Sequence, residues 1–510
     1  MPISDEDLEA KFTLESDRGG IVEAPPFRVL VLGDWSGSAE KRELASRRPI
    51  EIDRDNFDAV MNKIGASLEL DLQGDGSNPL TLSFSELEDF HPDRIFDQVP
   101  LFSELRDVRR RLKSEDTFFE AAREVRSWFP ETETASIEAS QTYASDGAEN
   151  EPEDLLGQIL SKPGGGGAVP KPSRSRESQE LNSLLSELVR PFLVRVDQDE
   201  QAQMLSVVDG ASGELMRKIL HDHRFQAMEA AWRALFFMVR RIETDSDLSI
   251  YLLDIEKGEL SDHLKASGNL SDTLVYKTLI TEAIETPGGE PWSLMIGNYD
   301  FSPSIDDIAT LVRISKLASG ADCPFVSHMR PDVLGVHSLN ENTDPRGWDM
   351  STNSEAGKLW YALRSVPEAE YLGLAIPRFL ARLPYGSDTE PLESFSFEEF
   401  TDGPVHDGYL WANAAFICGL LMAQSFREFG WEMGRTLKQD IEGLPIHIYK
   451  QDGETVYTPC AEVQLTHEAC DKLMEYGLMP LVSYKNTDHV KLARIQSVTE
   501  PVTKLKGRWN

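Results

Sequence analysis

The sequence predicts a mixed α/β protein written as two bodies on one chain: a smaller one over residues 1–130, a tether over 131–176, and a larger one over 177–510. Three observations carry that reading. Short apolar runs alternate with stretches of helical period in both parts, as expected of strands and helices that share a core. Residues 131–161 hold eight acidic residues and no Lys or Arg, and the run Gly164–Gly167 and the stretch Pro170–Arg176 follow. A segment so poor in large apolar side chains cannot offset the entropy of ordering, so it is expected to act as a flexible tether. Finally, 510 residues at 40% hydrophobic content suffice for more than one buried core.

In the first body, Phe27–Leu32 is a short apolar run ending at Gly33-Asp34, read as a buried strand entering a turn. Pro49–Ile52 reads as an edge strand, and Asp55-Asn56-Phe57 as the cap of a helix reaching about Ile64. Leu68–Leu72 and Leu80–Phe84 alternate apolar and polar residues around a Gly74–Asn78 turn, which predicts a hairpin. Ser85 and Glu88 have capping-box spacing. From Pro100, Leu101, Leu105, Val108 and Leu112 mark one stripe of a helix running toward Lys113.

In the second body, Leu181–Val196 is amphipathic, and Phe225, Met228, Trp232, Leu235 and Val239 form the strongest helical stripe. Leu248–Leu253 reads as a strand, Leu274–Ile284 as a helix, Trp292–Ile296 as a strand, Ile305–Ser319 as a helix and Pro324–Val326 as a buried strand. Leu410–Phe429 reads as a buried helix. Three strand candidates close the chain: Glu462–Leu465, Pro480–Tyr484 and Val490–Ile495.

Composition narrows function. A formal charge of −36, from 87 acidic against 51 basic residues, argues against a nucleic-acid surface and against docking on anionic lipid. The four cysteines form no C-x-x-C pair, the usage of a reducing compartment, and Cys323 and Cys418 read as small core residues. The N-terminus lacks an apolar core, and Leu410–Phe426 is too interrupted to span a bilayer, so a cytoplasmic protein is expected.

Candidate chemistry is thin. Gly33-Asp34-Trp35-Ser36-Gly37 lacks the Lys-Ser/Thr pair of a phosphate loop and the base of a hydrolase, and reads as a tight strand-exit turn. His221-Asp222-His223 presents ligands that diverge on a helix and has no second cluster, so no metal is expected. Pro287–Pro291 precedes a strand instead of a helix, the wrong order for a phosphate cradle. Arg378 and Arg382 could clamp an anion, but buried pairing with carboxylates is the plainer reading. No catalytic residue, cofactor or metal is assigned, and the absence of a catalytic constellation favours a structural role over an enzyme acting on an anionic substrate.

The ordered segments His223–Leu235, Gly288–Pro291, Asn298–Phe301, Tyr371–Gly386, Leu410–Phe416 and Gly477–Leu481 resemble the large sheath subunit (TssC) of the bacterial type VI secretion system. Phe27–Asp34, Ile52–Phe57, Leu82–Phe84, Asp89–Asp93 and Val99–Leu101 are similar to its small sheath subunit (TssB). Those are usually separate chains, so here they are expected to be fused, with a tether of roughly 45 residues spanning roughly 35–40 Å as a coil.

The resemblance implies a contractile sheath: a helical homopolymer around an inner tube (Hcp-like) on a baseplate, with a related contractile injection or phage-like particle as the alternative. It further implies that terminal strands add to a neighbour's sheet. The residues matching that role by position are Phe12 and Leu14 at one end and Leu481, Val482, Tyr484, Val490, Leu492 and Ile495 at the other. Deletion after Leu478 is then expected to leave a soluble protomer that does not polymerise. Lys504, Lys506 and Arg508 form a basic tail, candidates for contacts to the inner tube or a neighbour. In the family an AAA+ ATPase recycles contracted sheaths through a helix near the start of the large subunit. Here the region before Leu181 is tether, with Leu155–Leu160 its apolar patch.

Overall fold

A computed structural model describes residues 24–38, 41–72, 79–114, 116–128, 200–266 and 268–509. The proposed tether, the amphipathic Leu181–Val196 stretch, the Leu155–Leu160 patch, Phe12 and Leu14 lie outside the described residues.

The strands in chain order are β1 (Phe27–Gly33), β2 (Ile50–Ile52), β3 (Ala66–Leu70), β4 (Leu80–Phe84), β5 (Leu248–Asp254), β6 (Leu294–Phe301), β7 (Phe325–Met329), β8 (Leu372–Ile376), β9 (Phe379–Leu380), β10 (Trp411–Ala412), β11 (Asp440–Ile441), β12 (His447–Gln451), β13 (Glu454–Thr458), β14 (Leu478–Ser483) and β15 (Val490–Leu492). Nine of them form one sheet in the order β11-β15-β14-β8-β7-β6-β1-β5-β2. From β14 to β5 neighbouring strands run parallel, and β2, β15 and β11 add antiparallel edges.

That order corrects the expectation of two separate bodies. β1, from the first segment, is paired along its whole length with β5 and also with β6, both from the second. β2 then extends the sheet beyond β5. The reason lies in the β1 sequence, whose near-continuous apolar run suits a parallel strand covered on both faces. Phe27, Val29 and Val31 enter one core with the His223–Val239 and Ala415–Phe429 helices. Leu30 and Leu32 enter the other with the Ile305–Ala321 helix. The molecule is a mixed α/β layered structure whose central sheet is built by both segments.

Locally, the expected elements appear with informative shifts. β3 and β4 form the predicted antiparallel hairpin. The capping box forms one residue later than expected, through Glu86 and Asp89 around the short Leu87–Phe90 turn. The helix beginning at Leu274 passes into a π-helical register over Lys277–Glu285. Leu410–Phe429 divides into β10 and a helix over Ala415–Phe429, where Gly419 lets the helix sit against β6: a Cβ there would meet Ile296 Cδ1 at 2.2 Å. Glu462–Leu465 is not a strand: backbone pairing there stops at an isolated bridge between Phe379 and Ala461 and the bond from Glu462 N to Arg378 O. β15 stops at Leu492, two residues after Val490, so Ile495 lies beyond it, buried in the core.

Candidate functional site: the seam between the segments

β1 ends at Gly33, and the turn that follows is fastened by the second segment. The Asp254 carboxylate at the end of β5 accepts from Trp35 N (2.8 Å), Ser36 N (3.2 Å) and Ser36 Oγ (2.7 Å). Asp34 Oδ1 accepts from Gly37 N (3.1 Å) and Lys41 Nζ (2.7 Å). Gly37 has φ +64°, and a Cβ on it would meet Met228 Cε at 2.2 Å and Ser67 O at 2.4 Å, so only glycine fits. The Gly33–Gly37 turn is therefore a joint, with Ser36 Oγ committed to a carboxylate.

Beside it, aromatic rings interlock across the seam. Trp232 lies edge-on to Trp35 (centroids 5.2 Å) and Phe57 (5.7 Å), and its Nε1 donates to Trp35 O at 3.3 Å. Phe225 meets Phe84 and Phe90 at 6.1 and 5.8 Å, and Phe96 stacks on Phe395 at 5.0 Å. The predicted stripe of the His223–Val239 helix thus packs against the other segment. Trp232→Ala is expected to destabilise the chain by about 3–5 kcal/mol, because a fully buried indole leaves a cavity. Urea unfolding followed by circular dichroism measures this, and a loss below about 1 kcal/mol contradicts the packing described.

Polar contacts complete the seam. Arg47 makes two bonds to Glu259 (2.7 and 2.6 Å) and one to Asp254 O (2.8 Å). Arg109 makes two to Asp209 (2.5 and 3.0 Å). Asp93 accepts from the backbone N–H groups of Glu393 and Ser394, both at 3.0 Å. Bidentate arginine and paired N–H donors fix orientation as well as distance.

Just behind the seam lies a buried ionic belt. Arg382 donates to Glu229 (Nε, 2.8 Å) and to Glu399 (Nη1, 2.8 Å; Nη2, 3.1 Å). Arg233 donates to Glu229 at 2.7 Å and to Tyr385 Oη at 3.0 Å. His221 Nε2 lies 3.5 Å from Glu399 Oε1, and the ring of His91, from the first segment, stands edge-on to Tyr385 at 5.1 Å. Burial pushes the Glu399 carboxyl up, but the Arg382 charge and the hydrogen bonds it accepts more than offset this and hold it at about 2. Arg378 is likewise bonded twice to Glu462, at 3.0 and 2.6 Å. Both arginines are thus occupied by carboxylates of the chain.

Four of the segments quoted from the sequence, His223–Leu235, Asn298–Phe301, Tyr371–Gly386 and Leu410–Phe416, border a cleft of about 360 Å³ lined by His223, Gln226, Asn298, Asp300, Arg378 and Trp411. Polar side chains in and beside it hold backbone. Asn413 Nδ2 donates to Tyr299 O (3.0 Å) and Ser327 Oγ to Gly297 O (2.8 Å), supporting the irregular register of β6 between Ile296 and Asp300. Asp222 caps the His223–Val239 helix through Arg224 N (2.8 Å), which is the role of the His221-Asp222-His223 run. Among the described residues no group of three or more His, Cys, Asp or Glu is placed to hold a metal ion. Burial raises the thiols of Cys323 and, to about 12, Cys418.

The proposed inter-subunit residues have partners inside the chain. Leu481 and Val482 lie on the part of β14 paired with β15, and Val490 and Leu492 on β15 between β14 and β11. Tyr484 follows β14, is 42% exposed and stacks on His489. Lys504 donates to Gly434 O (3.2 Å), Lys506 pairs with Glu370 (3.2 Å), and Arg508 donates to Trp292 O and Ala321 O. The tail is drawn in because Leu505 and Trp509 are buried. Deletion after Leu478 would therefore strip the core of Leu481, Val490, Leu492, Val498 and Trp509, so unfolding replaces the soluble protomer expected from the sequence. Sequence reasoning did not assign Glu229, Glu399, Glu462 or Asp254. The signal for Glu229 was a lone acid in an apolar helical stripe.

Comparison with known proteins falls along the two segments. Residues 202–499 match the VipB family model, described as EvpB, tail sheath N-terminal domain. Residues 13–128 match the VipA model of the type VI secretion system. The type VI secretion system sheath protein TssC1 of Pseudomonas aeruginosa is 34% identical over 344 residues, covering 65% of this chain and 69% of the relative. The sheath protein TssB1 of the same organism is 28% identical over 101 residues, 19% of this chain and 59% of the relative.

Proposed function

Because the chain belongs to the type VI secretion sheath family and carries both a small-subunit-like and a large-subunit-like segment, we propose that it is a complete sheath protomer in one polypeptide. Copies polymerise into a helical sheath in the cytoplasm around an inner tube of Hcp-like protein on a baseplate, and contraction of the sheath drives the tube outward. The observation that carries this reading is β1 seated between β5 and β6: a load-bearing unit needs its two parts to move as one body, and a shared sheet provides that.

Contraction in such a polymer is a rigid-body rearrangement between packed subunits, so small free-energy gains per interface add up along the sheath. Fusion fixes the stoichiometry of the two parts at one to one and raises their effective concentration. Strand addition between copies needs an open edge. With β14 lying between β8 and β15, and β15 between β14 and β11, the outermost strand on that side of the sheet is β11, which has one neighbour among the described residues.

Sedimentation tests the reading. The full chain expressed alone or with its tube protein is expected to pellet as a high-mass assembly. A chain that stays in the supernatant at its 57.2 kDa monomer mass under both conditions overturns it.

A further inference from the structure

The chain changes its direction through the sheet at β1. From β1 it crosses to β5 on one side, with the His223–Val239 helix on one face. From β6 it steps through β7 and β8 on the other side, with the Ile305–Ala321 helix on the opposite face. Where two such directions diverge, the carboxyl ends of parallel strands frame a crevice, the usual ligand position in this architecture. The cleft of about 360 Å³ lies beside that point. Its size falls within the roughly 300–1,000 Å³ of small-molecule sites. Asn298 and Asp300 reach it from the end of β6, and Arg378 from just past β8. A Cβ on Gly33, the last residue of β1, would stand 3.1 Å from Asn298 Cβ.

The cleft offers mainly hydrogen-bond acceptors. Its one arginine, Arg378, is neutralised by Glu462, and the Tyr409 hydroxyl is bonded to His447 (2.7 Å) and Thr458 (2.8 Å). The Asp300 carboxylate, the Asn298 amide and the His223 ring make no hydrogen bond or ion pair among the described residues. Gln226 donates to Asp407 O, which leaves its own oxygen free to accept, and the Asp407 carboxylate is 94% exposed. Ala227, Ala230 and Ala231 form a small-residue wall along the helix. Behind Asp300 stands its register partner His328, 2% exposed, on the same face of β7 as Val326, which packs with the helices beside the cleft. Its Nδ1 has no partner among the described residues, and a buried polar atom left unpaired points to a group still to be received. No metal-holding group of His, Cys, Asp or Glu occurs among the described residues, so the complement of these acceptors is an organic cation.

We propose that this cleft binds a small linear diamine or polyamine, with ammonium groups set against Asp300 and Asp407 and methylenes along Ala227, Ala230 and Ala231. The ammonium donors match the unused acceptors, and two carboxylates from separate elements suit a ligand with more than one charge. Tyr409, Trp411 and Asn413 are buried in its walls, which makes it a recess for a small molecule instead of a face for a protein. Every lining residue comes from one chain, so the site does not depend on polymerisation.

Isothermal titration calorimetry of the full chain with spermidine tests this. One saturable site per chain is expected. Asp300→Asn and Asp407→Asn, exposed changes checked by circular dichroism, are each expected to weaken it about tenfold, the worth of one charge-assisted hydrogen bond. Asp58→Asn, an exposed carboxylate on the Phe57–Ile64 helix outside the cleft, is expected to leave it unchanged. Equal weakening by all three variants, or by none, would mean diffuse attraction to a chain of charge −36 and overturns the proposal. So does an absence of saturable binding. If spermidine does not bind while Asp300→Asn lowers the fraction of chain that pellets, the cleft receives a basic side chain of a second copy, which also overturns it.

Discussion

Cutting the chain within residues 131–176 is expected to leave the two segments bound to each other through size-exclusion chromatography. The second segment expressed alone is expected to be insoluble. The argument is the position of β1. Its side chains Phe27, Val29, Leu30, Val31 and Leu32 are each at most 2% exposed. At about 1.5–3 kcal/mol per buried side chain, these five contribute on the order of 10 kcal/mol. That rivals the whole net stability of a domain, about 5–15 kcal/mol. Removing β1 also opens the middle of the sheet, leaving β5 and β6 with unpaired backbone groups facing each other across a gap. Co-expression of the two pieces as separate chains should restore solubility. Two pieces that each remain soluble and separate would mean that the shared sheet is not what holds them.

The second large effect is expected at Arg382. Arg382→Met removes the charge between two carboxylates that are themselves almost fully buried, Glu229 at 0% and Glu399 at 1% exposed. Breaking a buried pair by removing one partner costs about 3–5 kcal/mol, since the remaining charge stays desolvated. The pH dependence carries a sign that distinguishes this from simple loss of packing. In the intact protein Glu399 is held at about 2, below its ordinary 4.5. A depressed carboxyl contributes stability that is present above pH 4.5 and is lost as pH falls from 4.5 toward 2. In Arg382→Met, Glu399 loses its arginine while Glu229 keeps Arg233, so the buried Glu399 carboxyl is easier to hold protonated and the variant should recover stability as pH is lowered from 7 toward 5. Denaturant midpoints of both proteins across pH 3–7 measure this. A variant within about 1 kcal/mol of the parent at pH 7, or one without the opposite slope, would contradict the belt's role.

Much of the local structure was legible because it is written in short-range patterns. The 2-residue alternation of Leu68–Leu72 and Leu80–Phe84 produced the hairpin, and the three-four spacing from Phe225 to Val239 produced the long helix. The partners of those elements were not legible. A strand such as Phe27–Gly33 reads the same whether its neighbours come from its own segment or from the distant partners Leu248–Asp254 and Leu294–Gly297. The clue to its central place was its lack of alternation, since an edge or half-buried strand would show polar residues on one face. Pro480–Tyr484 and Val490–Ile495 carried the same ambiguity: their apolar pattern suits a strand donated to a neighbour equally well as one retained, and β8 and β11 hold them. Arg378 and Arg382 were legible as carboxylate partners, because a charge inside an apolar run must be paired. Which acids would meet them depended on loops such as 393–400, whose placement is set by tertiary contacts at the seam.

The central claim, that one chain supplies both halves of a sheath protomer, is tested most directly by negative-stain electron microscopy of the purified full-length chain with its tube protein. Hollow tubes of uniform width built from this chain alone are the predicted result. Discrete globular particles, or tubes that form only when separate small and large subunits are added, would contradict it.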